Sequence, residues 1–236
     1  MPLLSRDFDL HTASERLRVT VDLPAEDTLP RVLSLHGAGP SNRARMDYLA
    51  AHLARLGWGT VRFDFSGHGD SSGTMSRSSI DKRMQEALAV ATELDRTTAP
   101  VLIGTSMGGH LAVRLSEDLR PSHLILFCPA AYGTATETIT FGPAFTDALR
   151  RPGPYHNSLA YSAISHYAGR LTIIIGAEDE IIPGEVIDRY LAAAKRARSV
   201  RLERLAGAPH QIHGWAVKTP GAERLVLSIV EDELQR

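Results

Sequence analysis

The stretch richest in chemistry is Gly104-Thr105-Ser106-Met107-Gly108. A serine with glycines two residues to either side has the spacing of a nucleophile elbow, G-x-S-x-G. The glycines matter because a sharp strand-to-helix turn brings neighbouring backbone too close for side chains. The turn also sets the hydroxyl at a helix N-terminus, where free N–H groups favour developing negative charge. A serine hydroxyl is a poor nucleophile at neutral pH. It needs a base within hydrogen-bond reach, and the base needs a carboxylate to fix its tautomer. Those residue types follow in Gly176-Ala177-Glu178-Asp179-Glu180-Ile181-Ile182-Pro183 and in Gly207-Ala208-Pro209-His210. Asp179 and His210 give the order Ser…Asp…His. Upstream, His36-Gly37-Ala38-Gly39 can present unobstructed backbone N–H groups to an oxyanion, or it is an ordinary turn into a helix. His68 lies between two glycines and reads as a loop anchor, as does Asp64.

These residues must be positioned by strands and helices, and the pattern supplies them. Val101–Gly104 is an apolar run without alternation, which fits a strand buried on both faces. From Met107 onward, Leu111, Leu115 and Leu119 recur at a helical step of four. Comparable buried-type strands are expected at 31–35, 58–64, 122–128 and 170–176, with a further strand at 200–205. Helices are expected over 45–55, 78–95, 184–198 and 222–234. The opening segments 7–10 and 17–21 alternate and read as edge strands, antiparallel and half exposed. The repeating strand–helix order argues for an α/β fold with a mostly parallel sheet covered on both faces. In such sheets the C-terminal strand ends line one crevice, and Ser106, Asp179 and His210 each follow a strand.

Residues 129–168 break the rhythm with several prolines and glycines. Two short helices are expected there, near 143–150 and 158–167. Four of the six tyrosines fall in this segment, with Phe141 and Phe145. It reads as a short lid insertion in one domain spanning 1–236, and Phe141, Phe145 and Tyr161 are the candidates for an apolar substrate wall.

Composition excludes several classes. Hydrophobic residues make up 43% and charged residues 22% of 236, ordinary for a folded chain. The formal net charge is −1 and basic residues do not cluster, so neither nucleic acid nor an anionic membrane is an expected partner. The one cysteine, Cys128, cannot form an internal disulfide; it follows Leu126-Phe127 and reads as a packed thiol rather than a nucleophile. Charge interrupts the opening Met1–Asp7 before an apolar leader forms, and no run approaches the roughly 18–20 apolar residues of a membrane span. The expectation is a soluble, cytoplasmic protein.

Taken together, the five motifs resemble the α/β-hydrolase superfamily: His36–Gly39, Asp64–Ser71, Gly104–Gly109, Gly176–Pro183 and Gly207–His210, in that order along nearly the whole chain. The resemblance implies that Ser106 is the nucleophile, His210 the base and Asp179 the acid, with the N–H groups of Ala38 and Met107 as oxyanion hole. It implies a serine hydrolase without cofactor or metal, acting by acyl transfer on a small-molecule acyl substrate. Carboxylic esters come first; a thioesterase, an amidase or peptidase, or an acyltransferase would use the same triad. A non-catalytic binding protein on a hydrolase scaffold is the rival of another class. Two features depart from the pattern: Pro209 stands where glycine often precedes the histidine, and His213 lies three residues beyond it as a second candidate base, expected here as a loop or rim residue.

Overall fold

The computed structural model describes residues 4–25 and 28–236; Met1–Leu3, the start of the charge-interrupted opening, lie outside the described residues. Strand β1 (Leu4–His11) forms an antiparallel pair with β2 (Arg16–Leu23), which in turn runs antiparallel to β4 (Thr60–Phe63). From there the sheet is parallel: β3 (Val32–Leu35), β5 (Val101–Thr105), β6 (His123–Phe127), β7 (Arg170–Glu178) and β8 (Ser199–Pro209). The spatial order is β1-β2-β4-β3-β5-β6-β7-β8. Strands β3 to β6 are buried along nearly their whole length, which is why β5 and β6 read as nearly continuous apolar runs.

The chain moves outward from β3 to β4, then returns across β3 to place β5 on its other side. The loops leaving β3 and β5 therefore open onto the reversal point, where parallel sheets hold their ligands. Helices α1 (Asp47–Arg55), α2 (Ile80–Val90), α3 (Met107–Leu119), α6 (Gly184–Ala193) and α8 (Ala222–Leu234) supply apolar residues such as Leu49, Leu53, Ala87, Leu111, Val186 and Ile229 to the core.

Several boundaries differ from the sequence reading. Helix α2 is shorter than 78–95 because Ser79 caps it, its hydroxyl accepting the Lys82 N–H at 3.1 Å, and a 3₁₀ turn follows at 91–93. The helix expected over 45–55 is split into a 3₁₀ turn, Arg43–Met46, and α1. Helix α6 stops at Ala193 rather than 198, and β8 runs on to Pro209. A further helix, α7 (Ile212–Lys218), was not read from the sequence at all. The segment between β6 and β7 holds the two expected short helices, α4 (Pro143–Leu149), with proline at its first turn, and α5 (Leu159–His166), capped by Ser158. Among the described residues no helix is long and apolar enough to cross a membrane.

Candidate active site

Ser106 sits between the last residue of β5 and the first of α3 at φ 52°, ψ −114°, outside the regions a side-chain-bearing residue ordinarily occupies. Its backbone is tied on both sides: its N–H donates to Phe127 O (2.8 Å), and its carbonyl accepts from Gly109 and Ala130 N–H (2.9 and 3.0 Å). The flanking glycines are sterically obligatory. A Cβ on Gly104 would lie 2.3 Å from Gly108 O, and one on Gly108 would lie 2.2 Å from Leu35 O and 2.7 Å from His36 O. The tight turn and its approach to β3 thus follow from the same two residues.

Asp179 and His210 leave the ends of β7 and β8 immediately after the paired residues Glu178 and Pro209. The His210 Nδ1–H donates to Asp179 Oδ2 at 2.9 Å, and the Ser106 hydroxyl donates to His210 Nε2 at 3.1 Å. Asp179 Oδ1 accepts the N–H groups of Ile181 (2.8 Å) and Ile182 (3.1 Å), so each carboxylate oxygen has its own donors. Burial works to raise the Asp179 pKa. The His210 imidazole, the Cys128 thiol and the two backbone N–H groups outweigh it and hold the carboxyl below its ordinary value. Glu178 closes β7 with its side chain exposed.

Gly37 and Ala38 follow β3 beside the elbow, where a Cβ on Gly37 would touch Ser106 Cβ at 3.4 Å. Their turn is fixed by His36, a fully buried ring. Its Nε2 accepts the Phe65 N–H (3.1 Å), so Nδ1 must carry the proton it donates to Gly37 O (2.7 Å). Burial keeps this ring neutral, well below the usual histidine pKa, with the nearby His68 and Arg83 adding to the effect.

A cavity of about 100 Å³ opens beside these groups, lined by Gly37, Ala38, Ser106, His210, Arg45 and Gln211, among others. The expected substrate wall is elsewhere. Phe141 and Phe145 pack edge-on (ring centroids 4.9 Å apart) in the core, and Tyr161 stacks edgewise on Tyr190 at 5.2 Å. None of the three lines this cavity. The insertion is tied to α3 by Glu137, which pairs with Arg114 at 2.7 Å.

His213, expected at the rim, is instead buried at 5% exposure, and it lines the inner wall of the cavity. Its Nδ1 meets Tyr48 OH at 2.9 Å and its Nε2 meets Thr105 Oγ1 at 2.7 Å, so both nitrogens are engaged away from the Ser106 hydroxyl. Burial, with a smaller contribution from the Arg45 charge, lowers its pKa to about 4. Asp64 braces its loop as expected: Oδ1 accepts the Arg43 N–H (2.7 Å), Oδ2 accepts the Asp70 N–H (2.9 Å) and pairs with the Arg43 guanidinium. His68 is buried in the same loop.

Arg83 escaped the sequence reading, which saw only the apolar side of α2. Its guanidinium is fully buried, 4.5 Å from the Phe141 ring. Its donors meet the Met107 and Met75 sulfurs (3.0 and 3.2 Å) and the His68 ring (3.2 Å) rather than a carboxylate. Burial brings its pKa down to about 10. It packs behind Met107, the residue whose N–H is the candidate oxyanion donor. Cys128 is the packed thiol expected from its apolar neighbours, and its thiol, the Asp179 carboxylate and the His210 imidazole offer donor atoms that all lie within 4.8 Å of one another.

Residues 27–169 match the family described as Serine aminopeptidase, S33. The quorum-quenching protein AidA of Acinetobacter baumannii is 31% identical over 116 residues, 46% of this chain and 38% of that protein. An uncharacterized protein of Mycobacterium tuberculosis is 27% identical over 168 residues, 70% of this chain. The chain thus spans about two fifths of the first relative and 58% of the second. Among solved structures, an esterase of Pyrococcus furiosus superposes with a TM-score of 0.72 at 21% identity, covering 99% of this chain and 90% of the other. That likeness is one of fold, and the fold is that of the α/β hydrolases. With more than half of its length inside the match, the chain belongs to the serine aminopeptidase S33 family, within the α/β-hydrolase superfamily.

Proposed function

We propose that this hydrolase cleaves small to medium carboxylic esters through an acyl-enzyme on Ser106. The observation that carries the reading is the continuous hydrogen-bond chain Ser106–His210–Asp179, at 3.1 and 2.9 Å. His210 Nε2 takes the Ser106 proton as the hydroxyl attacks the ester carbonyl. Asp179 steadies the imidazolium, and the Ala38 and Met107 N–H groups receive the oxyanion. The imidazolium then protonates the departing alcohol. A water, deprotonated by the same nitrogen, releases the acid. The cavity of about 100 Å³ beside Ser106 favours a compact group there, and its wall replaces Phe141, Phe145 and Tyr161 as the surface that discriminates substrates. The family description keeps a second reading, hydrolysis of an amide or peptide bond by the same residues.

The test is a p-nitrophenyl ester series of increasing acyl length, run beside Ser106→Ala and a fluorophosphonate label. Turnover should fall by about 10⁶ in the variant, since a triad acts as a unit. Labelling should be confined to Ser106. An alanine variant with native activity would refute the assignment.

A further inference from the structure

The thiol of Cys128 has no part in that mechanism, yet it stands behind the acid and base. We propose that Cys128, Asp179 and His210 form a binding site for a thiophilic divalent cation of the zinc type, and that its occupancy silences the catalytic base.

The three side chains come from three strand ends, β6, β7 and β8, and offer one sulfur, one oxygen and one nitrogen. The oxygen and nitrogen already face each other at 2.9 Å, through Asp179 Oδ2 and His210 Nδ1. Around tetrahedral zinc, with bonds of about 2.3 Å to sulfur and 2.0–2.2 Å to nitrogen or oxygen, donors stand roughly 3.3–3.6 Å apart. The observed triangle, with no edge above 4.8 Å, closes on an ion by shifts of about an ångström. Charge also fits. A thiolate, a carboxylate and a neutral imidazole carry −2, which a divalent cation cancels inside a site where an uncompensated charge would be costly. Of the three, only His210 lines the cavity; Cys128 and Asp179 lie outside its lining.

Binding has a definite proton balance. The Cys128 thiol loses its proton to solvent. On His210 the metal takes the place of the proton at Nδ1, and the ring stays neutral by carrying its proton on Nε2. That nitrogen then points an N–H at Ser106 and cannot accept the serine proton. The ion sits behind the base rather than in the path of the substrate, so kcat falls while KM is little changed.

The binding half of this inference stands on geometry alone; the silencing half rests on the proposed triad. The experiment reads them separately. Cadmium is titrated into the folded protein and the ultraviolet thiolate-to-cadmium charge-transfer band is recorded; because the chain holds one cysteine, any such band arises from Cys128. A band saturating at one ion per chain is expected, absent in Cys128→Ser and weakened in His210→Ala. In parallel, p-nitrophenyl ester turnover is followed against buffered free zinc, each protein normalised to its own metal-free rate. Half-inhibition should require on the order of 100-fold more zinc in Cys128→Ser. No band in the native protein overturns the site. Equal zinc sensitivity of the two proteins, or a saturated band with full turnover, overturns the silencing. An enzyme without esterase activity would refute the hydrolytic reading and leave the band to decide the site.

Discussion

Lowering the pH from about 7 to about 5 should cost this protein about 2 kcal/mol of stability through His213 alone. The ring is buried between Tyr48 and Thr105, and its pKa falls from 6.5 to about 4. Protonation therefore favours the unfolded chain. The stability this histidine confers is complete above 6.5, erodes as pH falls, and is gone below about 4. Two and a half units correspond to about 3.4 kcal/mol in full, of which about 2 kcal/mol is lost between pH 7 and pH 5. His36, His68, His110 and His123 are shifted in the same direction, so the wild-type slope alone does not isolate one residue. His213→Gln does, because its amide can still bond to Tyr48 and Thr105 but does not titrate. Urea denaturation of both proteins at the two pH values should show the wild type losing about 2 kcal/mol more than the variant. Parallel losses would mean that the ring is not held neutral by burial, and the argument would fail. The same variant should keep most of its neutral-pH esterase activity, since His210 faces Ser106 and His213 does not.

Asp179→Asn should leave the fold intact and lower kcat by about 10⁴, because the Ile181 and Ile182 N–H groups claim the amide oxygen and turn its NH₂ toward His210, forcing the proton onto Nε2; steady-state kinetics read this directly. Glu178→Gln, at an exposed position, should change the rate little by the same assay. Gly108→Ala should abolish turnover and destabilise by about 1–3 kcal/mol or more, since the new Cβ meets the Leu35 carbonyl at 2.2 Å and must push α3 off β3; thermal melting with an activity assay measures both.

What the sequence revealed and what it hid divide along a physical line. The elbow, the strand-end Asp179 and the strand-end His210 announce themselves because each depends on a few consecutive residues, with the sheet bringing them together automatically. The apolar character of Phe141, Phe145 and Tyr161 was equally visible, but burial preference carries no direction: Phe141 meets Arg83 of α2, Phe145 packs on Phe141, and Tyr161 meets Tyr190 of α6, none of them lining the cavity. His213 looked like a second base because its type is local information; its engagement by Tyr48 and Thr105, separated from it by 165 and 108 residues, is not. The surroundings of Arg83, and the groups that the packed Cys128 thiol faces, were hidden for the same reason. A buried guanidinium on an amphipathic helix and a thiol after an apolar strand look ordinary until the folded chain shows what they face.

The pairing of Glu178 with Pro209 ends the β7–β8 ladder one residue short of both Asp179 and His210. In the proposed triad Asp179 and His210 therefore share one inter-strand spacing, whereas Ser106 follows β5, three strands from β8. Mechanically the triad has two moving parts rather than three. Any shear, twist or repacking of β6 acts as a lever on the 3.1 Å gap between serine and histidine while the 2.9 Å acid–base contact rides along unchanged. Substitutions far from the cavity, at Leu124 or Ile125 of β6, should thus alter the Ser106–His210 distance while leaving the Asp179–His210 contact in place.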